Sequence, residues 1–223
     1  MANVAFTRDE AILLLDMLFF SGEEHFFPAN CAIVEQSNLL NELPIHPMEK
    51  RSASFRNPTG ISKQINTLKR SLRKNIRNNN VGYILYQLYE ENQNQLEPIH
   101  ELANAIKRNK VYFQNHIYSD KIEANGFPEG VLLGHLHCSL EIRDSKSITH
   151  DTECNVCCLN LSEIYKPVNG SLMQLHLIVP ITELDYKKTY KLNEFITVCP
   201  NCHAVLHRFR PWATKETIGK ILR

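Results

Sequence analysis

The chain lacks most of what would place a protein in a membrane or outside the cell. Its 223 residues contain no apolar run near the ~20 needed to cross a bilayer. The longest such stretch, Ala11 to Phe20, is broken by Asp16. The first residues have no basic segment followed by an apolar run and a small-residue cleavage site, so no signal peptide is expected. An excess of one charge is also missing. Lys and Arg number 25 against 24 Asp and Glu, a net +1, so any nucleic-acid surface must be a local patch. No internal repeat occurs, and the one biased stretch is the Asn/Gln-rich Asn92 to Gln95. Nor do the cysteines pair off: there are seven. An odd count with metal-like spacing points to a reducing cytoplasm rather than a disulfide framework. The remainder, 43% hydrophobic and 22% charged with a mean hydropathy of −0.30, suits one or two ordinary globular domains.

Against that background the cysteines stand out. Cys154-Asn-Val-Cys157 and Cys199-Pro-Asn-Cys202 are two Cys-x-x-Cys knuckles. Four thiolates so spaced suit a closed tetrahedral Zn²⁺ site with Zn–S near 2.3 Å. Cys31, Cys138 and Cys158 are left over. A structural zinc accounts for the knuckles but not for His176 between them, nor for Asn201, His203 and His207 around the second one.

The first 118 residues read as a mostly helical head. Thr7-Arg-Asp-Glu10 is a capping box, followed by a stripe of Ile12, Leu15, Leu18 and Phe19 that ends at Ser21-Gly22. A second helix is expected over Glu35 to Glu42, and Phe55 to Gly60 reads as a turn. Ile61, Ile65, Leu68, Leu72 and Ile76 then recur at helical spacing. The other faces of that helix carry Lys63, Lys69, Arg70, Arg73, Lys74 and Arg77 without one acid between Gly60 and Arg77. That makes them candidate phosphate contacts, although a solvated face would look the same. Val81 to Glu91 and Pro98 to Lys110 are further helices.

Asn125 to Pro128 marks a boundary region, dividing the head (1–118) from a second domain (119–223). Val131 to Ile142 fits either a helix or a strand. His135 and His137 lack the i, i+4 spacing of a helical metal pair and read as ordinary histidines. From Cys154 onward the pattern is knuckle, apolar segment (Leu172 to Ile181), strand (Phe195 to Val198), knuckle and helix (Asn201 to Phe209). The expected class is therefore α+β: a helical head followed by a β-hairpin and helix stapled by zinc.

The run Phe195-Ile-Thr-Val-Cys-Pro-Asn-Cys-His-Ala-Val-Leu-His207, with Cys154/Cys157 and His176…Pro180, resembles HNH endonucleases, the zinc-ribbon branch of the ββα-metal nucleases. Glu129-Gly130…His135…Glu141-Ile-Arg is similar to a lead-in segment of restriction-type members. The likeness covers roughly the last 95 residues and implies a ββα-metal fold. It also implies a DNA endonuclease of restriction or phage defence, hydrolysing phosphodiester bonds with a histidine general base and Mg²⁺ or another divalent ion. His176, Asn201, His203 and His207 would be its catalytic residues, and double-stranded DNA its substrate. Cutting both strands would call for a homodimer or two independent nicks.

One departure from the family pattern matters. Members usually carry two adjacent residues on the strand, a ligand then a base, with proline three positions after the base. Counted back from Pro180, His176 takes the ligand position and Leu177 the base position. In the other register His176 is the base and Leu175 stands at the ligand position. Neighbours on a strand face opposite sides, so only one register can hold. A catalytically decayed HNH scaffold that binds DNA without cutting is therefore a second reading, and a zinc-stapled protein-interaction module a third.

Overall fold

The computed structural model describes residues 4–74, 83–116, 129–144, 152–165, 172–209, 212–214 and 216–222. It is α+β, mostly helical, with one two-stranded sheet. No helix among the described residues is long and apolar enough to cross a membrane. The chain forms two compact units. Met1–Ile122 with Glu129–Leu132 makes the first, and Glu123–Pro128 with Leu133–Arg223 the second.

In the first unit, helix α1 (Arg8–Phe20) is central and packs against α2 (Cys31–Glu42), α4 (Tyr83–Asn92) and α5 (Glu97–Arg108). Its residues Ala11 to Leu15 are all fully buried, the signature of a helix that is apolar all round. The Thr7 capping box forms as expected: Thr7 Oγ1 accepts from Glu10 N, and Thr7 N donates back to the Glu10 carboxylate at 2.8 Å. Helix α2 starts four residues before the predicted Glu35. Asn30 caps it there, its side chain accepting from Ala32 N.

The predicted turn at Phe55 to Gly60 is half helix. Helix α3 (Pro58–Lys74) begins at the proline, whose fixed φ suits a first turn. Ile61, Ile65 and Leu68 form its buried stripe; Ile76 and Arg77, predicted to continue it, lie outside the described residues. Asn109 splits the predicted Pro98 to Lys110 helix into α5 and α6 (Lys110–Gln114).

A buried ion pair ties the first unit together. Glu10 meets Arg56 Nε at 2.5 Å and His46 Nε2 at 3.1 Å. The Arg56 guanidinium also donates to the carbonyls of Val4 and Ala5 and stacks on Phe6. Arg56 reaches this position with φ +44, a left-handed backbone that costs a bulky residue about 1 kcal/mol or more. Asp9, beside Glu10, accepts from Val131 N and Leu132 N at 3.0 Å each.

Helix α7 (Val131–Asp144), which belongs to the second unit from Leu133 onward, resolves the helix-or-strand ambiguity as helix. A short α8 (Leu161–Ile164) follows the first knuckle. Strands β1 (Gln174–Leu177) and β2 (Phe195–Val198) pair antiparallel, His176 opposite Ile196 and Gln174 opposite Val198. Helix α9 (Pro200–Leu206) follows at once and packs on β1. Strand β1 is thus shorter than the predicted Leu172 to Ile181, and α9 stops before the predicted Phe209. Pro180 sits in a turn after the strand, leading into a 3-10 turn at Ile181–Glu183. Around the knuckles, Val156, Leu161, Met173, Val198, Leu206 and Ala213 pack with Cys154, Cys199 and Cys202, while Leu133, Leu136, Leu140, Leu177, Ile181, Leu184 and Phe195 are buried elsewhere in the unit.

Candidate metal centres

Two groups of metal-capable side chains form in the second unit, each gathering its ligand atoms within 4.8 Å of one another. The first is the four cysteines, which could hold a metal ion such as zinc. Cys157 Sγ and Cys199 Sγ are 3.9 Å apart. Tetrahedral coordination with Zn–S of ~2.3 Å requires S···S of about 3.8 Å, and a disulfide requires about 2.05 Å, so the spacing is that of ligands. All seven cysteines are free thiols. Each knuckle is built by its own backbone. Cys158 N donates to Cys154 O in the first, and Cys158 takes φ +57 to turn the chain away. In the second, Cys199 is the N-cap of α9 and Cys202 lies three residues on, on the same helical face. Asn155 joins the first knuckle to the hairpin: its N–H donates to Thr197 O at 2.9 Å, and its Oδ1 accepts from Thr197 N at 2.7 Å.

The second group is His137, Glu141, His176 and His207, with His203 alongside. Three elements supply it. Helix α7 presents His137 and Glu141, four apart and therefore on one face. Strand β1 presents His176. Helix α9 presents His203 and, at its C-cap, His207. Glu141 is the hub: His176 Nδ1 lies 2.8 Å from Oε1, His137 Nδ1 3.4 Å from the same oxygen, and His203 Nε2 and His207 Nε2 lie 3.4 and 3.5 Å from Oε2. His203 Nε2 and His207 Nε2 are 2.9 Å apart. Trp212 packs edge-on against His137, ring centroids 5.1 Å apart.

The surroundings fix the ring orientations. His137 Nε2 sits 3.0 Å from Leu177 O, and His203 Nδ1 sits 2.6 Å from the amide oxygen of Gln174. Both acceptors require those nitrogens to carry hydrogen, so Nδ1 of neutral His137 and Nε2 of neutral His203 are the lone-pair nitrogens. Leu177 takes part through its backbone alone. Its N–H donates to Glu141 Oε1 at 3.2 Å and its carbonyl accepts from His137. Its side chain is fully buried.

Burial sets the charges. It depresses His137 to about 4, against only partial support from Glu141, and lowers His176 too. Burial pushes Glu141 up, but the surrounding imidazoles more than offset this and hold the carboxyl well below its usual range. The balance favours an ionised Glu141 beside neutral rings at His137 and His176.

Of the residues singled out in the sequence, the structure brings His176, His203 and His207 together around Glu141, and the four cysteines around a separate point. Asn201 is exposed on α9, turned about 200° around the helix from His203, and does not reach the cluster. Glu194 pairs with Lys188 at 3.0 Å and accepts from Lys191 N. His137 corrects the sequence reading. It is fully buried and belongs to the cluster, because its helical partner four residues on is a glutamate rather than a histidine. On α3, Lys63, Arg70, Arg73 and Lys74 are exposed, but Lys69 is half-buried and donates to Glu24 O at 2.6 Å. Arg77 lies outside the described residues.

No family model, curated protein or solved structure matches this chain.

Proposed function

We propose that the chain is a metal-dependent DNA endonuclease organised as an HNH nuclease. The observation that carries this reading is the convergence of His176 from the hairpin with His203 and His207 from the following helix, beside a four-cysteine knuckle pair. A divalent cation bound there would polarise a phosphoryl oxygen and acidify a water. His203 is the proton acceptor of this reading. Its side chain is 18% exposed, at the rim, whereas that of His176 is 1% exposed. Gln174 holds His203 in the tautomer whose free lone pair is on Nε2, as a general base requires. With His203 in that role, Leu177 does not have to be a base, and His176 and His207 serve as ligands. Lys63, Arg70, Arg73 and Lys74 supply exposed cations for backbone phosphates.

A decayed scaffold that binds DNA without cutting is the second reading, favoured by the burial of both His176 and Leu177. Plasmid cleavage separates the two. Supercoiled DNA, unmodified and carrying modified bases, is incubated with Mg²⁺, Mn²⁺, Ni²⁺ or Zn²⁺, and with EDTA. Metal-dependent nicking that is lost in His203→Ala and His207→Ala is expected. Folded, zinc-loaded protein that cuts neither DNA with any ion would leave the binding scaffold.

A further inference from the structure

We propose that His137 Nδ1 and the Glu141 carboxylate join His176 and His207 in holding the divalent cation, and that the four together take Zn²⁺, Co²⁺ or Ni²⁺ and discriminate against Mg²⁺. The proposal rests on the nuclease reading only for what the ion would do; its binding stands or falls separately.

Hydrogen positions leave the carboxylate facing lone pairs. His137 gives its N–H to Leu177 O, so a lone pair remains on the nitrogen that faces Glu141 Oε1 at 3.4 Å. His203 gives its N–H to Gln174, so a second lone pair faces the same carboxylate at 3.4 Å. Acceptors directed at one another in a buried space repel. A proton on His207 Nε2 can serve His203, 2.9 Å away, but it leaves His137 Nδ1 facing the carboxylate. A cation among the four ligand atoms satisfies them together.

The supports around the rings favour the same conclusion. Histidines that bind metals donate their second N–H to a backbone carbonyl or a similar acceptor, which fixes the tautomer and raises ligand basicity. His137 does this through Leu177 O. The carboxylate is steadied in turn by Leu177 N–H. One residue of β1 thus orients both ligands of α7.

The donor set selects the ion. Three imidazoles and one carboxylate suit zinc and its neighbours. Mg²⁺ demands six oxygens, several from retained waters, which a pocket of buried imidazoles does not provide. His137 and Glu141 come from a helix preceding the knuckles and the hairpin, so the site draws on more of the chain than the hairpin and α9.

Metal content of the full chain tests the assignment. Wild-type protein equilibrated with Co²⁺ is expected to hold two equivalents, one with the absorption of thiolate ligands and one without. His137→Gln and Glu141→Gln should each weaken the second equivalent by more than about tenfold and leave the thiolate spectrum unchanged. A large excess of Mg²⁺ should displace neither ion. A single equivalent in the wild type, displacement by Mg²⁺, or unaltered binding in both variants would overturn the site. Should the variants fail to fold, X-ray absorption on wild-type protein carrying two cobalt ions decides the matter, since absence of imidazole scattering would equally overturn it. Two ions without cleavage of any DNA would sink the nuclease reading alone.

Discussion

Glu10 and Glu141 are both buried carboxylates on helices, one in each unit, and their partners differ in kind. Glu10 is held by Arg56, a permanent cation, with His46 and the Thr7 backbone completing its shell. Glu141 is ringed by histidines, of which His137 and His203 turn a lone pair toward it. The first arrangement is finished within the chain. In the second, the ion-pair partners of the carboxylate among the described residues are histidines. A buried carboxylate held by a permanent cation is typical of architecture, and one gathered with histidines is the arrangement that could hold a metal ion.

Several substitutions break or sharpen this contrast, beginning with the support of the second unit. Cys154→Ser or Cys202→Ser should unfold that unit, because structural zinc supplies folding energy of about 10 kcal/mol or more; zinc content and NMR dispersion read it. Folded, zinc-free protein would reject the four-cysteine site. Next is the matched pair of glutamates. Removing one partner of the Glu10 network, as in Arg56→Met, should cost about 3–5 kcal/mol. Glu141→Gln, in protein carrying zinc only at the cysteines, should cost less, because the histidines beside it can lose their protons whereas Arg56 cannot. Equal losses in urea denaturation would erase the distinction.

The neighbour of Glu10 gives a pH test. Burial raises Asp9 from 3.8 to about 6 in the folded chain, against the backbone N–H groups of Leu132 and Val131, which lower it. Between those values the folded state binds more protons than the unfolded one. This contribution is therefore fully present below about pH 4, is lost as pH rises to about 6, and amounts to roughly 3 kcal/mol. Glu10, whose pKa is lowered on folding, contributes with the opposite sign. Asp9→Asn should flatten the loss between about pH 4 and 6; an unchanged profile would exclude Asp9 as its source. The smallest effect is on the surface. Arg70→Glu with Arg73→Glu should weaken DNA binding and lower the salt slope by about 1 for each phosphate no longer neutralised. Identical slopes would make α3 a solvated face.

How much of the molecule is legible in the sequence depends on whether the signal is local. The knuckles, the Thr7 capping box and the stripe of α3 are patterns within a few residues, and each appears in the structure. Helix α7 is ambiguous in the sequence because apolar residues and histidines fill most of its length and leave no clear stripe. His137 escapes for a related reason: its partner at i+4 is Glu141 rather than the second histidine that marks a helical metal pair. A His-x-x-x-Glu pair in an apolar run is the available signal. The role of Leu177 has no sequence signal at all, since it acts through N–H and C=O groups that every residue but proline carries.

Asn155 carries a consequence of another kind. It brackets Thr197 from both sides, and Thr197 is next to Ile196, the pairing partner of His176. The knuckle therefore sets where the hairpin lies, and so where His176 meets Glu141. With a metal ion held by the four cysteines, the histidine centre would depend on thiol chemistry. Peroxide that oxidises the knuckle cysteines and ejects their ion should silence the centre without touching a histidine, and reductant with zinc should restore it. Chromophoric detection of released zinc, followed alongside cobalt binding at the histidines, would show whether the two losses coincide.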